Sequence, residues 1–151
     1  HSFQHLAFDP FGLPDRRGEV VQSYLEVEFD EFRRRRERSE VRLGKLLSTH
    51  GSNSVGLTLI DGGHHFETII ADFRLADFLC CDGGFIVFDD AWFPAIETAI
   101  SYIRCNRPDY ALTHLAAPSM TVLQRRAPDQ RDWSSFSPFP VPQRSNWSSA
   151  V

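Results

Sequence analysis

Several features that mark large protein classes are scarce or missing in this sequence. Lysine occurs once, at Lys45, so nearly all the positive charge is arginine. The formal net charge is −4, which speaks against the basic surface that a nucleic-acid partner requires. No apolar run approaches the roughly 20 residues of a membrane span. No secretory signal is visible either. Cysteine is confined to Cys80, Cys81 and Cys105. The count is odd, and two adjacent cysteines do not pair easily within a regular helix or strand. They read as reduced thiols in a cytoplasmic protein, not as a disulfide framework. Ligands at zinc-site spacings are missing as well.

What is there suits one globular domain: 151 residues, 42% of them hydrophobic. The chain opens His1-Ser2-Phe3 within a few residues of a strand-like run. A fragment, or a domain whose amino-terminal part lies elsewhere, is therefore expected.

Hydrophobic spacing predicts alternating strands and helices. His5 to Phe8 is a short apolar run stopped by Asp9-Pro10-Phe11-Gly12. Glu19 to Glu28 carries Val20, Val21, Tyr24, Leu25 and Val27 at helix-like spacing. A short edge strand is expected at Phe32–Arg35. Its arginines, with Arg36, read as a solvated face in preference to a phosphate patch. Ser39 looks like an N-cap before a short helix with Val41, Leu43, Leu46 and Leu47. Val55 to Ile60 reads as a buried parallel strand. Phe66, Ile69, Ile70, Phe73, Ala76 and Leu79 then mark one face of a helix. Asp82-Gly83-Gly84 is expected to end that helix. A second buried strand follows at Phe85–Phe88. A further helix begins at Pro94, with Ile96, Ala99, Ile100 and Ile103 apolar. This is a right-handed βαβ unit. Tyr110–Leu115 and Thr121–Gln124 read as an antiparallel pair. Residues 1–127 form the expected domain, and 128–151 a mostly disordered tail.

Chemistry concentrates at the strand ends. In an open parallel sheet, ligands sit beyond the carboxyl ends of the strands. Asp61, Asp89 and Asp90 occupy two such ends, and His64 and His65 follow the first. Neighbouring strands lie roughly 4.8 Å apart, so three carboxylates crowd one region. Such crowding disfavours joint ionisation unless a hard cation relieves it. The plainer alternative is that these aspartates cap helices. His64 is a candidate general base, because imidazole titrates near neutrality. Trp92 reads equally as a lid over the site or as core.

The ordered series Leu59-Ile60-Asp61-Gly62-Gly63-His64-His65-Phe66-Glu67, Asp72, and Asp82-Gly83-Gly84-Phe85-Ile86-Val87-Phe88-Asp89-Asp90 resembles the class I S-adenosylmethionine-dependent methyltransferases. It is most similar to the Ile-Asp-Gly-x-His branch that includes macrocin-type sugar O-methyltransferases. Asn106-Arg107-Pro108-Asp109-Tyr110 and Ala7-Phe8-Asp9-Pro10-Phe11 fit the same pattern. The resemblance runs from about His5 to Gln124. It implies a Rossmann-like sheet, mostly parallel with an antiparallel carboxyl-terminal strand and lacking the family's first strand. It also implies Asp9, Ser39 and Asp61 on the cofactor side, with Asp9 at the ribose hydroxyls and Ser39 near the adenine. Asp61, Asp89 and Asp90 match positions that hold a divalent metal, Mg2+ for example, in the sugar-methylating members.

Two departures stand out. The family's Gly-rich loop is not present, and Gly63 stands where metal-dependent members often carry an acidic base, so a different base, for which His64 is the candidate, or a different acceptor chemistry is required. The expected function is methyl transfer to a hydroxyl of a small molecule or sugar. The alternatives are an inactive remnant serving as a scaffold or interaction module, and a metal-dependent hydrolase built on Asp61, His64, Asp89 and Asp90. No nucleic-acid or membrane partner is expected, and no oligomeric state is implied.

Overall fold

Apolar strand-like runs and one-sided helices become a layered α/β arrangement in the computed structural model, which describes residues 5–8, 32–35, 39–113 and 119–142. The elements are β1 (His5–Phe8), β2 (Phe32–Arg35), α1 (Ser39–His50), β3 (Val55–Ile60) and α2 (Phe66–Leu79). β4 (Cys80–Phe88), α3 (Pro94–Asn106), β5 (Tyr110–Thr113) and β6 (Thr121–Arg125) follow. The helix expected at Glu19–Glu28, and Asp9, lie outside the described residues.

β1 and β2 pair in parallel, with His5 opposite Phe32. The larger sheet runs β3-β4-β6-β5. β3 and β4 are parallel, with Ile60 opposite Phe88. β6 is antiparallel to both of its neighbours. Among the described residues, the two-stranded and four-stranded sheets share no ladder. The expected Rossmann-like pattern is thus present: a βαβ unit, β3-α2-β4, continued by an antiparallel carboxyl-terminal strand.

One face of the larger sheet holds the core. Ile69, Phe73 and Ala76 of α2, with Ile96, Ala99, Ile100 and Ile103 of α3, close over Ile60, Ile86, Phe88 and Leu123. Each large apolar side chain so buried contributes roughly 1.5–3 kcal/mol. Leu43 and Leu46 of α1 form a second cluster with Leu79. Among the described residues, the opposite face is uncovered. Strand period two puts Leu57 and Leu59 on that side, and they are 64% and 55% exposed. Phe85, the cross-strand partner of Leu57, is also exposed. β3 was expected to be buried on both faces. Instead, both helices of the core pack on the Ile60 side.

Asp82-Gly83-Gly84 does not end α2. The helix stops at Leu79, Cys80 is its extended C-cap, and β4 starts there. Val55 faces Cys80 while Leu57 faces Phe85, so β3 advances two residues against five on β4. The surplus forms a bulge, with Gly83 at φ 77°. A Cβ on Gly84 would lie 2.9 Å from both Cys80 Sγ and the Cys81 carbonyl oxygen, so a side chain there collides with backbone.

The stretch expected to be a disordered tail is tied down as far as the described residues run. Residues 126–142 carry no helix or strand. The Asn106 side chain donates to the Ser137 carbonyl at 2.9 Å and accepts from the Ser137 amide at 2.8 Å. Ser101 Oγ donates to the Pro140 carbonyl, and Tyr102 meets Phe139 edge-on. The composition reads as disordered because the contacts that order it come from α3.

A buried charge network fixes α2 to the α3–β5 turn. Arg107 is 2% exposed. Its guanidinium donates to both Asp77 oxygens at 2.7 and 2.6 Å, and to both Asp109 oxygens at 2.9 and 2.7 Å. Tyr110 OH donates to Asp77 Oδ1 at 2.9 Å. Phe73 and Tyr110 present ring faces to the same guanidinium. Burial pushes the Asp77 carboxyl upward, but Arg107, Tyr110 and Arg74 together hold it below 3.8.

Candidate functional site

β3 and β4 end side by side. The Asp89 amide donates to the Ile60 carbonyl at 3.1 Å, so the ladder continues one residue beyond the Ile60–Phe88 pair. Asp61 and Asp89 therefore leave the sheet together. The backbone then turns sharply. Asp90 sits at φ 48°, a left-handed conformation that aspartate tolerates better than most residues. Its carbonyl accepts from the Phe93 amide at 2.7 Å, which closes the turn. The Ala91 amide donates to the Ser119 carbonyl at 2.7 Å, anchoring the loop to the β5–β6 connection.

The helices beyond this edge do not take aspartate as their cap. His65 is the N-cap of α2, and Phe93 that of α3. Capping therefore does not account for Asp61, Asp89 or Asp90. His64 Nε2 lies 3.3 Å from Asp90 Oδ2. The imidazole rests on Phe93, with ring centroids 4.6 Å apart. Trp92 Nε1 donates to the other Asp90 oxygen, Oδ1, at 3.0 Å. Asp61, His64 and Asp89 line a shallow concavity whose apolar lining is Ile60, Ile69, Phe88 and Ile96.

The electrostatics show an imbalance. The Asp61 carboxyl is pushed above 3.8, first by partial burial in this concavity, then by the charges of Asp89 and Asp90. His64 acts in the opposite sense. The three aspartates are thus near enough to feel one another. They are not arranged as a ligand set: among the described residues, no group of three or more His, Cys, Asp or Glu side chains is placed to hold a metal ion. Trp92 bonds one oxygen of Asp90, and His64 lies near the other.

Ser39, expected near a cofactor, is joined to this edge through α2. Its Oγ donates to Asp72 Oδ2 at 2.9 Å. A Cβ placed on Gly62 would lie 3.9 Å from that same oxygen. Ser39, Asp72 and Gly62 therefore form one neighbourhood beside Asp61.

The sequence matches no protein-family model and no curated protein. Solved structures do match. A protein of Corynebacterium glutamicum superimposes with a TM-score of 0.63 at 17% identity, over 85% of this chain and 63% of that one. CalS11, a TDP-rhamnose 3'-O-methyltransferase of calicheamicin biosynthesis, gives 0.63 at 15% identity, over 80% and 57%. MycE, a methyltransferase of the mycinamycin biosynthetic pathway solved with Mg and SAH, gives 0.53 at 11% identity, over 82% and 45%. The fold is that of the methyltransferases. The chain spans less than two thirds of the length of each of these three structures.

Asp72 and Trp92 also belong to this edge. Asp72 stands on the apolar face of α2, where a lone acid reads as a break in the pattern. Trp92, read from the sequence as lid or core, is not core. It is 45% exposed and bonded to Asp90. The only sequence signal for that contact is the two-residue spacing between them.

Proposed function

We propose that this chain forms the acceptor-handling part of an S-adenosylmethionine-dependent O-methyltransferase whose acceptor is a hydroxyl of a small molecule or sugar. The observation that carries the proposal is the His64–Asp90 pair, 3.3 Å apart, at the carboxyl edge of a methyltransferase-fold sheet. Ser39 and Asp61 are the described candidates for the cofactor side, both close to Gly62. S-adenosylmethionine, when bound, supplies an electrophilic methyl group on sulfonium sulfur.

The residues of the chain then have separate tasks. His64 accepts the proton of the acceptor hydroxyl as its oxygen bonds to the methyl carbon. Asp90 balances the imidazolium that results. The bound cofactor would supply the methyl carbon to the acceptor oxygen and keep the electron pair of its carbon–sulfur bond, while His64 would hold the acceptor's proton. The apolar lining of Ile60, Ile69, Phe88 and Ile96 lowers the local dielectric, which strengthens these interactions. Among the described residues no group of three ligating side chains is placed around one point, so no step is routed through a metal.

Calorimetric titration of the chain with S-adenosylmethionine, followed by transfer of labelled methyl to sugar hydroxyls, tests the proposal. Binding is expected, with His64→Asn slowing transfer roughly 10²–10⁴-fold, the usual contribution of a positioned base. A folded chain that gives no heat with S-adenosylmethionine overturns it.

A further inference from the structure

At the end of β4 remote from the acidic edge, two thiols meet where the strand is least regular. Cys80 is the extended C-cap of α2 and the first residue of β4. The ladder with β3 passes from the Val55–Cys80 pair to the Leu57–Phe85 pair. Cys81 therefore lies in the bulge, with Asp82, Gly83 and Gly84. In a regular strand, successive side chains point to opposite faces, which keeps adjacent cysteines apart. The bulge removes that separation. A Cβ on Gly84 would lie 2.9 Å from Cys80 Sγ and 3.2 Å from Cys81 Sγ, so both sulfurs border one point that carries no side chain.

The two thiols differ in access. Cys81 is partly exposed, whereas Cys80 is 1% exposed and donates to the Cys81 carbonyl at 3.6 Å. Burial first, then the neighbouring Cys81, pushes the Cys80 thiol up to about 11. A thiolate is the form that attacks a disulfide, so the more exposed Cys81 reacts first. Arg125 stands beside the pair. Its Nη1 donates to the Cys80 carbonyl at 2.8 Å, and its charge favours a thiolate on Cys80.

We propose that Cys80 and Cys81 form a thiol–disulfide exchange site for low-molecular-weight disulfides, with Cys81 as the attacking sulfur and Cys80 as the resolving one. The Cys81 thiolate bonds one sulfur of the incoming disulfide, and the other sulfur leaves as a thiolate. Cys80 passes its proton to that departing thiolate and attacks the Cys81 sulfur. The second half of the reagent departs and takes up the proton that Cys81 had released. Two protein thiols are oxidised to one Cys80–Cys81 bond, and one small disulfide is reduced to two thiols. Adjacent Cα atoms are about 3.8 Å apart, short of the usual span of a disulfide. The bond so formed is strained and easily reduced, which suits reversible modification and not the holding of a fold.

Reaction with dithionitrobenzoate, followed by released colour and by intact mass, tests the proposal on the full Cys105→Ser chain, in which the exposed third thiol is removed. The native chain is expected to release two equivalents of coloured thiol and to end two hydrogens lighter, with no label retained. Dithiothreitol should restore the starting mass. Cys80→Ala in the same background should release one equivalent and keep the label on Cys81. Cys81→Ala should react on the order of tenfold more slowly, because its remaining thiol is buried. In urea, where the bulge is lost, the chain with both cysteines should keep two labels. Any label retained on the native chain, or no reaction at all, overturns the proposal. So does ring closure that proceeds as fast in urea as in the native chain. The comparison of native and urea samples uses the Cys105→Ser chain alone, so it decides the matter even if Cys80→Ala does not fold.

Discussion

Two acid-rich regions of this protein treat their charge in opposite ways. Around Arg107, the carboxylates of Asp77 and Asp109 are buried, and one guanidinium bonds all four of their oxygens. At the strand ends, Asp61, Asp89 and Asp90 face a single imidazole, and only Asp90 touches it. The carboxyl of Asp77 is lowered and that of Asp61 is raised. The first region is built to hold elements together. The second keeps an unbalanced negative edge beside a concavity.

The contrast can be broken most severely at Arg107. Arg107→Met leaves Asp77 and Asp109 buried without their cation, and loss of one member of such a network costs about 3–5 kcal/mol. Urea unfolding at neutral pH should show this loss. A change below 1 kcal/mol means that the network is not what binds α2 to the α3–β5 turn.

Acid sharpens the comparison next. Because the folded-state Asp77 carboxyl lies below 3.8, its stabilisation is complete above that value and disappears as pH falls through the folded value. Unfolding followed from pH 5 downward should show a steep loss of stability. That slope should be shallower in Asp77→Asn, whose starting stability is already lower.

Asp61 should behave in the opposite sense. Its folded-state pKa is raised, so the folded protein binds that proton more tightly than the unfolded chain. Stability therefore falls as pH rises from 3.8 through the raised value. Asp61→Asn removes this loss, and its melting temperature at pH 7 should exceed that of the unmodified chain by a small margin. An unchanged or lower melting temperature contradicts the imbalance.

The smallest effect is expected at Gly63. A Cβ there meets no heavy atom within 4 Å. Gly63→Asp should fold normally and add another carboxylate to the crowded edge. Mg2+ should then raise its melting temperature more than it raises that of the unmodified chain.

Much of this was legible in the sequence, and the illegible parts share a cause. Apolar periodicity located α2 and α3, and the aspartates that interrupt apolar runs located the ends of β3 and β4. These are local signals. Periodicity says which side of a strand is apolar, not whether anything covers it, so the exposure of Leu57 and Leu59 was unforeseen. Asp77 was not singled out in the sequence, since its partner Arg107 lies 30 residues further on. The stretch after Ala127 looked disordered because its order is borrowed from Ser101, Tyr102 and Asn106. The β4 bulge was mistaken for a helix cap because glycine serves both purposes.

That bulge separates the length of β4 from its register. Three extra residues are absorbed before Leu57 meets Phe85, and from there the pairing runs without interruption to Ile60 and Phe88. The separation between Asp61 and Asp89 therefore depends only on the four residue pairs nearest the site. Residues gained or lost around Asp82 and Gly83 can alter the far end of the strand while the acidic edge keeps its spacing. The near end of β4 is in this sense a slack coupling, and chains of different length on that side can present the same pair of carboxylates.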